Sequence, residues 1–269
     1  MVLQSRWLPN KTEVVAEHGV VVSMHPIASE AGLEILKQGG NAIDAAVATG
    51  FAISVVEPMM SCIAGVGYMM IHLAGQGKTV AIEYPPRAPK AARPDMYKVL
   101  DRPGAGISIY DVEDEENIVG YRSIAVPGTV AGLCLAHKMF GKLPLAAVME
   151  PAIGLAEDGF EVNWFLALSI ANSMGEMSRF PGTAAVFLPD GRPPKSGTLL
   201  GERLVQRDLG QVLRLIAKNG PEAFYGGDVA AAIEEDMKRN GGLISRQDLA
   251  SYQAVALNPR RITYRDCEV

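Results

Sequence analysis

The stretch AIDAAVATGFAISVV, Ala42 to Val56, is apolar on nearly every helical face, and a helix of that kind has to be surrounded by other elements. Asn41 is placed to cap its start and Pro58 to end it. The stretch is too short to span a bilayer and carries Asp44. It therefore reads as the buried centre of a globular domain.

The flanking segments supply the surroundings. GVVVSM, residues 19–24, is rich in β-branched side chains and predicts a strand. EAGLEILKQGG predicts a helix with Ala31, Ile35 and Leu36 on one stripe, stopping at Gly39-Gly40. GYMMIHLA and KTVAIEY, separated by Gly75-Gln76-Gly77, predict an antiparallel hairpin. Pro85 to Glu116 is rich in proline, glycine and charge, with an acidic run at Asp111 to Glu116, and predicts an extended, solvated loop region. Helical stripes follow in VAGLCLAHKMF, LAAVMEPAIGLAEDGF, VNWFLALSIANSM, ERLVQRDLGQVLRLIAKNG and DVAAAIEEDMKRNGG. Ser245 and Asp248 form a capping-box start for SRQDLASY, and RRITYRDCEV predicts a final strand. The class is α+β.

With 269 residues, 48% of them hydrophobic and 20% charged, the chain can bury a sizeable core. A formal charge of -5 leaves no broad basic surface, which argues against nucleic acid or anionic membrane as partners. Cys62, Cys134 and Cys267 are odd in number and form no C-x-x-C pair. The opening residues show neither a long apolar segment nor a small-residue cleavage site. A reduced, cytoplasmic setting is the expectation.

Local motifs narrow the chemistry. GQGKT is not a phosphate-binding loop, because His72 stands where the first glycine is required. Gly65-Val66-Gly67 lacks the third glycine of a dinucleotide fingerprint. These glycines either let backbone N–H groups line a site or make a tight helix-to-strand connection. His18, His25, His72 and His137 have no metal-ligand spacing, and no G-x-S-x-G elbow occurs. Cys62 reads as a buried small thiol rather than a nucleophile. Arg87, in the proline-stiffened loop EYPPRAPKAARPDMY, either forks onto a carboxylate or is an ordinary loop charge.

Taken together, HPIASEAGLEILKQGGNAIDAAVATGFAISVVEPMMS, RAPKAARPDMY, VPGTVAGLCLAHKMFGKLPLAAVMEPAIGLAEDGFEV, NGPEAFYGG and GGLISRQDLASY resemble, in this order, the γ-glutamyltransferase family. The resemblance runs from about residue 16 to 255 and implies part of an αββα N-terminal-nucleophile hydrolase sandwich with a peripheral helical region. It also implies a precursor that cleaves itself ahead of a threonine, whose freed amine helps to activate its own hydroxyl for acyl transfer to water or an amine. No metal or organic cofactor is implied.

On this resemblance, residues 1–269 are a single domain, the large-subunit part of such a precursor and incomplete at the C-terminus. The expected partners are a small amide substrate and a small subunit that carries the threonine. No catalytic residue is expected in this chain. Family transpeptidases carry an Arg-Glu pair, the arginine gripping the glutamyl α-carboxylate, where Pro85 and Pro86 stand here. Arg87, two positions on, is the one candidate substrate-binding side chain. Cys62, Ala64 and Val66 also alter the family's glycine-rich turn. Two alternatives stay open: a related acylase or small-amide amidohydrolase with a non-glutamyl substrate, and a non-catalytic scaffold subunit.

Overall fold

The computed structural model describes residues 13–103, 110–197 and 201–269. The chain opens with α1 (Pro26–Lys37) and α2 (Ala42–Val56), then the hairpin β1 (Gly67–Leu73) and β2 (Lys78–Tyr84). A small hairpin, β3 (Val99–Pro103) and β4 (Tyr110–Val112), leads to α3 (Thr129–Phe140) and α4 (Leu145–Glu157). The peripheral region comprises β5 (Phe160–Glu161), α5 (Trp164–Asn172), α6 (Met174–Met177), α7 (Pro181–Phe187) and β6 (Arg203–Leu204). Then come α8 (Arg207–Asn219), α9 (Glu222–Tyr225), α10 (Gly227–Arg239) and α11 (Arg246–Ala250). The chain closes with β7 (Val255–Leu257), β8 (Thr263–Tyr264) and β9 (Cys267–Glu268).

Helix α2 is the centre that its apolar sequence requires. Val47, Ala48, Phe51, Ala52 and Val55 are fully buried, with α1, α3 and α4 packed around them. Asn41 and Asp44 close a reciprocal capping box at its start. The Asp44 carboxylate also accepts the N–H groups of Lys142 at 3.0 Å and Leu143 at 3.3 Å, so one buried acid joins α2 to the α3–α4 turn. His137 Nε2 lies 2.8 Å from the Leu143 carbonyl and 3.7 Å from Asp44, a satisfied interior position.

Strand β2 lies between β1 and β7, both antiparallel to it. Ile71, Val80, Ile82 and Tyr84 face the helices and are buried. Gly67 and Gly132 admit the Tyr84 ring: a Cβ on Gly67 would meet it at 2.7 Å, and one on Gly132 would overlap it. The register places Tyr68, Glu83 and Val255 in one row of the opposite face and Met70, Ala81 and Leu257 in the next. Tyr68 and Met70 are 68% and 63% exposed, so large apolar side chains on this face stand uncovered.

Several expectations need correction. Residues 19–23 form no ladder among the described residues; Val20, Val22 and Met24 are exposed, because a β-branched run becomes a strand only through hydrogen bonds to a neighbour, and no described strand pairs with it. The Pro85–Glu116 region contains the β3–β4 hairpin, with Lys98 and Glu113 paired at 2.6 Å, although residues 104–109 lie outside those described. Glu116 pairs with Arg122 rather than standing free in solvent. Ser173 divides the predicted VNWFLALSIANSM helix into α5 and α6. The final segment is a tight hairpin, because Arg265 and Asp266 both take positive φ and reverse the chain. Leu36 is half-exposed, and Gly32 takes its place on the buried stripe of α1.

A candidate carboxylate-binding site at a clamped loop

The loop after β2 is fixed at four backbone positions. Arg87 and Val126 form an antiparallel bridge: the Val126 N–H donates to the Arg87 carbonyl at 2.8 Å, and the Arg87 N–H donates to the Val126 carbonyl at 3.4 Å. The Tyr252 hydroxyl donates to the Pro85 carbonyl at 2.7 Å. The Lys90 N–H donates to Asp248 at 3.0 Å. Pro85, Pro86 and Pro89 restrict the remaining backbone freedom.

The clamp comes from the far end of the sequence. Asp248 sits in the first turn of α11, where its other oxygen accepts from the Ser245 N–H at 2.9 Å and the Ser245 hydroxyl at 2.6 Å. Burial pushes this carboxyl upward, but the Ser245 and Lys90 hydrogen bonds prevail and hold it below its ordinary range. Tyr252 stacks on Tyr225 with the rings 8° from parallel and 5.6 Å apart. Tyr225 in turn donates to the Pro127 carbonyl at 3.0 Å and accepts from the Ala131 N–H at 3.2 Å. Burial raises both tyrosine hydroxyls, which stay protonated donors.

Arg87 projects from this frame into a cleft of about 200 Å³ lined with Lys90, Asp248, Ser251 and Tyr252. Its side chain is exposed, and it forms no ion pair among the described residues. The guanidinium lies over the Tyr252 ring, 5.6 Å from the centroid. A cation held against an aromatic face keeps its N–H donors free for a planar anion, which suits bidentate binding of a carboxylate.

The other sequence candidates fall outside this chemistry. Gly65 belongs to the helix-to-strand connection: its N–H bonds Cys62, and its carbonyl accepts from Gly128 at 2.7 Å and Thr129 at 3.0 Å. Those last two donors open α3 and are thereby used up. Cys62 is half-buried, and burial raises its thiol, with a hydrogen bond from Ala64 acting in the other direction. GQGKT spans the β1–β2 turn, where His72 contacts Thr79 at 2.9 Å. Among the described residues no cluster of three His, Cys, Asp or Glu is arranged to hold a metal ion, and no helix is long and apolar enough to cross a membrane.

Tyr252, Tyr225 and the second contact of Asp248 are absent from the sequence reading. The only local signal was the Ser245–Asp248 capping box, which says nothing of a partner 158 residues away.

The described residues thus form a helix-covered sheet from which a clamped loop presents the Arg87 cation without an ion pair among the described residues. Comparison with known proteins gives the chain a family. Residues 28–269 match the family described as Gamma-glutamyltranspeptidase. The "Acylase ACY 1 proenzyme" of Pseudomonas sp. (strain V22) is 46% identical over 260 residues, covering 96% of this chain and 45% of that protein. The "Glutathione hydrolase proenzyme" of Escherichia coli (strain K12) is 39% identical over 257 residues, covering 95% and 42%. The solved Helicobacter pylori gamma-glutamyltranspeptidase superposes with a TM-score of 0.86 at 37% identity, over 96% of this chain and 70% of that one.

The chain belongs to the γ-glutamyltranspeptidase family and has its α+β, N-terminal-nucleophile hydrolase fold. It spans less than half the length of the two curated relatives above.

Proposed function

We propose that this chain is the large-subunit part of a γ-glutamyltranspeptidase-like amidohydrolase or acyltransferase. Its substrate is a small amide whose acyl group ends in a carboxylate, and Arg87 binds that carboxylate. The carbonyl carbon is attacked by a threonine on a small subunit outside residues 1–269, freed by self-cleavage, and the resulting ester passes to water or an amine. The observation that carries this reading is the guanidinium of Arg87, without an ion pair among the described residues, on a loop fixed at four backbone points.

The uncovered rows that carry Tyr68 and Val255, and Met70 and Leu257, support a second layer supplied by the partner subunit. The outer edge of β1, which pairs with β2 alone among the described strands, supports the same assembly. The free thiols of Cys62, Cys134 and Cys267 are compatible with a cytoplasmic setting, which belongs to the same proposal.

A second reading changes only the acyl group. On the sequence resemblance, Pro85 and Pro86 stand where family transpeptidases carry an Arg-Glu pair and Arg87 presents a cation two residues later, while the Tyr252 hydroxyl holds the Pro85 carbonyl. The 46% identity to an acylase points the same way. A non-glutamyl dicarboxylic acyl group, lacking the α-amine, is the substrate class this favours. The test is Arg87→Ala in the complete enzyme. KM for an anilide bearing an acyl carboxylate is expected to rise at least about tenfold, the weight of a charge-assisted hydrogen-bonded pair, with kcat less affected. An unchanged KM removes Arg87 from the substrate site.

A further inference from the structure

We infer that Tyr252 is a positioning residue for the substrate carboxylate and acts through Arg87, a role that rests on the reading of Arg87 as the carboxylate-binding group. The backbone of the loop is already fixed through Pro85, Arg87 and Lys90. What remains free is the rotation of the long Arg87 side chain, which carries several rotamers. The Tyr252 ring, 5.6 Å from the guanidinium carbon, limits that rotation by attraction to one face of the cation.

An acidic residue in the same place would orient the guanidinium too, but would occupy the donors that a substrate needs and cancel its charge. An aromatic face does neither. The ring is itself held in place, because Tyr225 is stacked against it and is tied to Pro127 and Ala131. A Cβ on Gly128 would strike the Tyr252 hydroxyl, so the bend before α3 is closed tightly around this side chain. Asp248, the carboxylate that lines the cleft, is turned to other donors: its oxygens accept from Lys90 and Ser245, and it forms no ion pair with Arg87 among the described residues.

The hydroxyl and the ring have separable tasks. The hydroxyl holds the loop through Pro85, while the ring face holds the cation. Tyr252→Phe removes the first and keeps the second. A pentafluorinated phenylalanine at position 252 keeps the shape and inverts the charge distribution of the face.

The experiment uses the complete enzyme with glutaryl p-nitroanilide and its uncharged counterpart, in which the distal carboxylate is a carboxamide. The ratio of kcat/KM for the two reports how well the carboxylate is held. Tyr252→Phe is expected to keep that ratio within about twofold, and the pentafluorinated ring to lower it about two- to fivefold through KM of the charged amide alone. Tyr252→Leu is expected to lower it further, toward the value of Arg87→Ala.

Equal losses on both amides in every variant would mean that Tyr252 only supports the fold, and would overturn the inference. An intact ratio with the pentafluorinated ring would overturn it as well. If Arg87→Ala itself leaves the ratio unchanged, the reading of Arg87 falls first and this role falls with it. A ratio lowered by Arg87→Ala but untouched at position 252 sinks the positioning role alone.

Discussion

Asp44 has no exposed surface, and its oxygens accept N–H groups from Asn41, Lys142 and Leu143. Asp44→Asn puts an amide donor among donors, and each buried N–H left without an acceptor costs about 1–3 kcal/mol. A loss of about 3 kcal/mol is expected, read as a lower urea midpoint at unchanged m. A change below about 1 kcal/mol would mean that water takes over these contacts. His25 makes a second residue-level prediction. It caps α1 and contacts Asn163 at 3.0 Å, and burial holds its pKa below 6.5, opposed by Glu57 and Glu30. The unfolded chain therefore binds the proton more readily than the folded one. The stability from neutral His25 is complete above about pH 6.5 and declines as pH falls below it. Melting temperature is expected to drop from pH 7.5 to 5.5, and His25→Asn to flatten that slope; an identical slope in the variant would rule His25 out as its source. The capping roles of Asn41 and Ser245 were readable because capping is local in sequence. The second contacts of Asp44 and Asp248 were not, because they close across 98 and 158 residues.

Among elements, the best-read ones carry their own pattern. The all-round apolarity of α2 and the 75–77 turn between two apolar runs specify themselves. Residues 19–24 show the limit: they have the composition of a strand, but a strand exists only with a partner, and none of the described residues pairs with them. Arg87 was legible as a stiffened cation because its prolines are adjacent in sequence. The aromatic face beneath it was not, because α11 and the chain after it arrive from 165 positions away, a separation that follows from the residue numbers of Arg87 and Tyr252. Helix α11 is accordingly expected to act as a clamp. Asp248→Ala removes its capping box and the acceptor for Lys90, and is expected to cost about 2 kcal/mol. Hydrogen exchange at the Lys90 amide should quicken beyond that global loss. Uniform acceleration of all amides would show instead that the loop has no separate dependence on α11.

For the molecule as a whole, the two faces of the sheet differ. One is packed against α3, while the other shows Tyr68, Met70, Val255 and Leu257. Expressed alone, residues 1–269 are expected to associate, and Met70→Lys is expected to reduce that association by charging the middle of the exposed face. Sedimentation velocity reads this directly, and a monodisperse, cooperatively melting wild-type monomer would contradict it. The catalytic proposal is most directly tested by denaturing intact mass measurement of the enzyme from its natural source, before and after brief mixing with an acyl-donor amide. The expected result is a second polypeptide beginning with threonine that gains the acyl mass, while the present chain gains none. Acyl mass on residues 1–269, or a source enzyme with no threonine-led polypeptide, would contradict it.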